Sequence, residues 1–205
     1  RPDVYSHSSI RNLYLDTPDF RLIRRSLEKP VYKEKLRLRS YGRTDRDSPV
    51  FMELKKKYRS IVYKRRLTLP YDRALDCLTG ACPWPETQIG GEIRYTVDFY
   101  PDLESRVFLA YERDSWLAPE SGLRITFDDA IRFRTEELTL DSDPWGTALL
   151  GPDQVLMELK APGAIPLWMV RLLTEMRLYK TSFSKYGTAY QLLLEREWKG
   201  GKRYA

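Results

Sequence analysis

The chain has 205 residues, 42% of them hydrophobic and 31% charged, with a formal net charge of +6. That length suits one large domain or two small ones, the hydrophobic share is enough for a sizeable core, and the basic excess points to a polyanionic partner: nucleic acid, anionic lipid or a phosphate-rich small molecule. Two cysteines and a single histidine are too few for a disulfide framework or a zinc site, and no apolar run approaches the ~18 residues of a membrane span. With no signal peptide either, two ordinary thiols and a reducing, cytoplasmic setting are expected.

In chain order, "SSIRNLYLDT" (8–17) reads as a strand. A short helix follows, with Thr17 as N-cap, Pro18 at the first helical position and Glu28 near its end. "PVYKEKLRLRSYG" (30–42), "PVFMELKKKY" (49–58) and "IVYKRRLTL" (61–69) form a meander of antiparallel strands, the last two separated only by Arg59 and Ser60. "YDRALDCLTG" is a helix opened by Pro70 and stopped by Gly80, and "TQIGGEIRYTVDFY" reads as helical despite Gly90 and Gly91. Residues 104–117 return to strand, 122–134 hold one or two short strands, and 135–153 are loop with room for another. "QVLMELKA" (154–161) is a strand. "IPLWMVRLLTEM" (165–176), apolar at helical spacing, is expected to be a core or buttressing helix. "SFSKYGTAYQLLLERE" (182–197) is a final helix capped by Thr181 or Ser182. Seven or eight mostly antiparallel strands with helices gathered late give an α+β domain over residues 1–205, built on a closed or strongly curved sheet.

The strands share a charge pattern. In "KEKLRLR", Lys33, Lys35, Arg37 and Arg39 alternate with Glu34, Leu36 and Leu38, so the four cations point to one face. "FMELK" (51–55) and "LMELK" (156–160) echo each other, pairing Glu53 with Lys55 and Glu158 with Lys160 on one face. Lys64 and Arg66 share a face, as do Arg124 and Thr126, and Tyr111 and Arg113. A half-exposed antiparallel sheet gives the same alternation. Like charges opposed across strands destabilise, however, and an idle exterior would mix signs. If helices cover the apolar faces from outside, the cations line a common lumen that needs an anion, and phosphate suits Arg and Lys. A carboxylate in such a lumen has two uses: holding Mg²⁺ or Mn²⁺ beside phosphates, with Glu158 and Glu53 as candidates, or pairing with Lys160 and Lys55.

The ordered set "IRNLYLDTPDF", "KLRLRSYG", "VFMELKKK", "VYKRRLTL", "LRITFD", "VLMELK" and "SFSKYGTAY" resembles the VTC domain, the polyphosphate polymerase domain of the vacuolar transporter chaperone complex, in a bacterial form. The resemblance runs from about residue 5 to 195. It implies membership of the triphosphate tunnel metalloenzymes, relatives of the CYTH triphosphatases: an antiparallel eight-stranded β-barrel tunnel flanked by helices, lined by basic residues, with acidic residues for a metal. It implies transfer of the ATP γ-phosphate to a growing polyphosphate chain, with Mn²⁺ or Mg²⁺ as the metal and Mn²⁺ a preferred one in the family. Arg37, Arg39, Lys55, Lys64, Arg124 and Lys185 then take catalytic positions, and Glu158 the metal. Ser184 pairs with Lys185 near the tunnel end, and Lys180 stands in for a basic residue that the family often has two positions before that serine, where this chain has Ser182. Lys35, Arg66, Arg113 and Lys160 add substrate contacts. The family's first tunnel strand is expected to precede residue 1.

Expected partners are thus ATP and inorganic polyphosphate, with a membrane-bound partner compatible and nucleic acid not expected, since most of the 14 tyrosines fall on apolar faces or helices. With His7 as the only histidine, a phosphohistidine route is disfavoured and the attacking group is the polymer end itself. A triphosphate hydrolase of the same fold and a non-enzymatic polyanion-binding module are the alternatives.

Overall fold

The computed structural model describes residues 1–100 and 102–201, with side chains through Arg196. Eight antiparallel strands form one sheet: β1 (Pro2–Asp16), β2 (Tyr32–Tyr41), β3 (Pro49–Tyr58), β4 (Ile61–Pro70), β5 (Glu104–Ala118), β6 (Leu123–Arg134), β7 (Thr147–Ala148) and β8 (Leu156–Lys160). Their spatial order is β4-β3-β2-β1-β5-β6, and the short β7 and β8 share the far edge of β6. Five helices flank it: α1 (Arg21–Leu27), α2 (Tyr71–Thr79), α3 (Gln88–Phe99), α4 (Leu167–Glu175) and α5 (Lys185–Gly201). The architecture is the expected α+β, eight-stranded antiparallel one. Among the described residues no ladder joins β4 to β7 or β8, so the ring of strands is not closed by backbone hydrogen bonds.

Both faces of the sheet are covered, by different helices. On one, Leu36 and Leu38 of β2, Met52 and Leu54 of β3 and Leu69 of β4 pack against Tyr71, Ala74 and Cys77 of α2 and Ile93 of α3. Each such side chain contributes about 1.5–3 kcal/mol when fully buried. This fixes register: a one-residue slip of β2 would drive Lys35, Arg37 and Arg39 into that layer. On the other face, Tyr14, Leu109, Tyr111 and Phe133 pack against Tyr186, Ala189 and Tyr190 of α5 and Ile23 of α1. The apolar stripe covers only part of that face, and the charged side chains of β2, β3, β4, β6 and β8 occupy the rest.

Local departures from the sequence reading have clear causes. α1 begins at Arg21 rather than at Pro18, because residues 17–20 close a turn with Phe20 N–H donating to the Thr17 carbonyl (2.8 Å) and Phe20 at φ 58°. Thr17 Oγ1 still accepts from Arg21 N–H (2.9 Å). α5 is capped by Ser184, whose Oγ accepts from Gly187 N–H (3.1 Å), not by Thr181 or Ser182. Residues 123–134 make one strand, offset by a bulge opposite Tyr111 with Ala130 at φ 45°. α4, expected in the core, buries only Met169 and leaves Leu167, Trp168, Val170 and Leu172 exposed. It packs substantially against no strand, so its apolar spacing reports something other than a buried face.

Candidate active site

Three strands build the first half of the site. Register places Lys35 of β2 directly opposite Lys55 of β3, and Lys55 opposite Lys64 of β4. Three lysines therefore stand in one row across the sheet with no carboxylate between them. The adjacent row is Tyr14, Arg37, Glu53 and Arg66, and the next Asn12, Arg39, Phe51 and Thr68. Six cations thus share one carboxylate. Directly opposed like charges are unfavourable by a few tenths to about 1 kcal/mol each, so this row is a standing cost to the empty fold.

Glu53 organises the arginines. Arg37 Nε donates to Glu53 Oε2 (2.8 Å) and Arg66 Nε to Oε1 (2.8 Å), while Arg39 Nε lies 3.7 Å from Oε2. Burial opposes ionisation of Glu53, but Arg37 and Arg39 outweigh it and hold the carboxyl below its usual range. Arg39 also donates to Asn12 Oδ1 (2.9 Å), and Arg37 Nη1 to the Tyr14 hydroxyl (3.0 Å). The guanidinium planes are thereby pre-set, at little rotamer cost on binding. Both Glu53 oxygens are taken by guanidinium groups, so its role is to orient arginines, and it is poorly suited to the metal-ligand role expected alongside Glu158.

β5, β6 and β8 build the second half. Asp128, fully buried, receives Arg113 in bidentate fashion (2.5 and 2.7 Å) and lies 2.5 Å from Lys185 Nζ. Glu158 Oε1 is 3.4 Å from the same ammonium and 3.9 Å from Arg113, and Lys160 lies 3.7 Å from Oε2. Burial disfavours charge on both carboxylates. For Asp128 the Arg113 hydrogen bond and Lys185, and for Glu158 chiefly Lys185 and Lys160, outweigh it and keep each below the ordinary carboxylate range. Arg124 faces the same side opposite Lys160 but is half-exposed and paired with Asp3 (2.9 Å), at the margin. Lys180 is exposed in the stretch between α4 and α5.

The start of α5 joins the halves and gives each residue of "SKYG" a job. Ser184 Oγ accepts from Lys35 Nζ (3.0 Å) as well as capping the helix. Lys185 reaches Asp128 and Glu158. Tyr186 stacks on Tyr14 (centroids 4.3 Å apart) and donates to Asp16 Oδ2 (2.8 Å). Gly187 lets α1 approach: a Cβ there would meet Leu27 Cδ2 at 3.1 Å. The sheet thus curls around the first turn of α5, and what a backbone ladder would otherwise close is bridged by side chains.

Among the predicted residues, Lys35, Arg37, Arg39, Glu53, Lys55, Lys64 and Arg66 form one group, and Arg113, Glu158, Lys160 and Lys185 another. Asn12, Tyr14, Asp16 and Asp128 were not anticipated. Only Asp128 left a signal, being four residues beyond Arg124 and on the same strand face.

Almost the whole chain matches a known family. The model of the VTC domain matches residues 2–194. The chain belongs to the VTC domain family. Among solved structures, a Bacillus halodurans protein provisionally described as an adenylate cyclase superposes with a TM-score of 0.51 at 14% identity, covering 89% of this VTC domain and 81% of that chain. At that identity the likeness concerns the fold. No curated protein matches. Among the described residues no helix is long and apolar enough to cross a membrane.

Proposed function

We propose that this VTC domain is a metal-dependent phosphotransferase that moves the γ-phosphoryl of ATP onto a growing inorganic polyphosphate chain. The observation that carries the reading is the row Lys35–Lys55–Lys64 beside Arg37, Arg39 and Arg66, served by Glu53 alone. A fold that sustains this repulsion gains from a ligand with several closely spaced negative charges, which a triphosphate or polyphosphate supplies.

Phosphoryl transfer asks for little covalent chemistry from a protein; it asks for alignment and neutralised charge. Arg37 and Arg39 have rigid forks suited to two oxygens of one phosphate, while Lys35, Lys55 and Lys64 act as point charges along the chain. Lys185 and Ser184 stand where the two halves meet and would hold the reacting phosphate against the incoming chain end. The attacking atom is an oxygen of that terminal phosphate, already deprotonated, so no general base is needed. His7 is outside this machinery, half of an exposed pair with Asp114 (2.8 Å).

The donor set itself limits where Mg²⁺ or Mn²⁺ could be held. No group of three metal-ligating side chains gathers among the described residues. Such ions, however, commonly bind one or two carboxylates plus substrate phosphates. Glu158, with no oxygen closer than 3.4 Å to a cation, fits that description; Asp128, whose two oxygens are both held by Arg113, serves instead to fix Arg113 and Lys185. An ion held there would neutralise charge on phosphate oxygens.

A hydrolase of triphosphates would use the same cradle with water as acceptor. Incubating the protein with ATP and Mn²⁺ and running the product on a polyphosphate gel separates the two: long-chain product supports polymerisation, orthophosphate alone supports hydrolysis. Glu158→Gln should abolish turnover while tripolyphosphate still binds; retained turnover would overturn the assignment of Glu158, and binding by wild type with no turnover under any divalent ion would leave a polyanion-binding module.

A further inference from the structure

Away from the cradle, on the opposite face of the sheet, the geometry points to an oxidisable dithiol: Cys77 and Cys82 form a modification site that a low-molecular-weight disulfide closes into an intramolecular disulfide bond. The C-terminus of α2 creates the pair. Gly80, at φ 77°, ends the helix in the left-handed conformation, with Ala81 N–H (2.8 Å) and Cys82 N–H (3.3 Å) both returning to the Asp76 carbonyl. That reversal folds residue 82 back against the last turn, and the two Sγ atoms lie 2.9 Å apart. This is less than about 1 Å beyond a disulfide bond length, so closure needs side-chain rotation and no rearrangement of α2.

The two thiols are unequal. Cys77 is buried in the layer between α2, α3 and the sheet, and burial together with its Cys82 neighbour pushes its thiol up to about 11. Cys82 is partly exposed, and the pair lines a cleft of about 700 Å³ together with Trp84, Arg94 and Asp98. Cys82 is therefore the point of entry. Its thiolate attacks one sulfur of the external disulfide RSSR, forming a mixed disulfide and releasing one RS⁻, which takes up a proton as RSH. The Cys77 thiol then loses its proton to solvent, attacks the Cys82 sulfur and expels the second RSH. The two protein thiols are oxidised, RSSR is reduced to two RSH, and the charge and atoms balance. Arg94 and Asp98 pair with each other in that lining (3.3 Å), so the cleft selects no charge on the external disulfide.

Closure would staple α2 to the connection leading into α3, the layer on which Lys55 and Lys64 rest from behind. The test uses the whole chain in glutathione buffers of increasing oxidising poise, followed by acid quench, alkylation and intact-mass measurement. The expected result is a species lighter by two hydrogens that takes up no alkylating agent, reverts with dithiothreitol and melts several degrees higher than the reduced form. Two free thiols in fully oxidised glutathione, or a stable glutathione adduct on the wild-type protein, would overturn the proposal. In Cys77→Ser the reaction should stop at a glutathione adduct on Cys82; an unreacted Cys82 in the folded variant would refute the order of attack.

Discussion

Replacing Glu53 by Gln tests how the cradle is held together. The side chain keeps its shape but loses the charge that three guanidinium groups share. Its own exposure is 13%, against 26% for Arg37, 10% for Arg39 and 48% for Arg66. Removing one member of a buried pair costs about 3–5 kcal/mol, and the half-exposed Arg66 recovers part of this by turning to water. About 3 kcal/mol is expected, or a melting temperature roughly 9 °C lower for a chain of this size. The deficit should shrink when tripolyphosphate is present, because the ligand returns negative charge to the same arginines; the ligand-induced rise in melting temperature should be larger in Glu53→Gln than in wild type. The gap also depends on pH. The Glu53 carboxyl is held below its usual range, so its contribution is complete above the ordinary carboxylate pKa and fades as pH falls through the lower, folded-state value. Differential scanning fluorimetry with and without tripolyphosphate, from about pH 3 to neutrality, reads all three. A variant melting within about 2 °C of wild type at neutral pH would refute the view that Glu53 holds the arginines in place.

Lys55→Glu should stabilise the unliganded protein by about 0.5–1 kcal/mol, by placing an anion between Lys35 and Lys64, while weakening tripolyphosphate binding at least tenfold in calorimetry. A weaker fold with unchanged affinity would contradict the row's role. Arg37→Lys should weaken tripolyphosphate binding by roughly 10- to 100-fold although charge is conserved, since the fork is lost; isothermal titration checks it. Burial, with Lys33, Lys55 and Arg37 nearby, lowers the Lys35 ammonium below the ordinary lysine range against the opposing pull of Tyr14. Affinity should therefore fall as pH rises toward that range sooner than ordinary lysines would require, and Lys35→Arg should abolish that early fall. Asp16→Asn removes a carboxylate that accepts from Thr17, Leu22 and Ile23 N–H and from Tyr186, and should cost about 2 kcal/mol, or roughly 6 °C in thermal melts.

The alternation in "KEKLRLR" was enough to assign both faces of β2, because Leu36 and Leu38 have one place to go. The same logic placed Lys55, Lys64 and Arg66. What alternation leaves open is register, and register is what stands Lys35, Lys55 and Lys64 in one line. That depends on the Arg59-Ser60 hairpin, where Arg59 adopts φ 53° and pairs Tyr58 with Ile61. Asp128 was hidden for a related reason. Alternation with Arg124 and Thr126 gives its face, but only register stands it opposite Arg113 of β5. The cap of α5 was ambiguous because "TSFS" offers three hydroxyls, and tertiary contacts with Lys35 favour the last. α4 shows the limit of periodicity: apolar spacing states that a face exists and not that the same chain covers it.

The junction of Ser184 and Lys185 with β2, β6 and β8 amounts to a clasp made of ammonium groups. A continuous backbone seam offers an anion no foothold; this clasp, its Lys185–Asp128 pair too buried for salt to screen strongly, competes with any strong anion for the same two lysines. On the proposed function polyphosphate entering the groove is such an anion; it would then contend for the fastening and couple occupancy to how widely the mouth stands open.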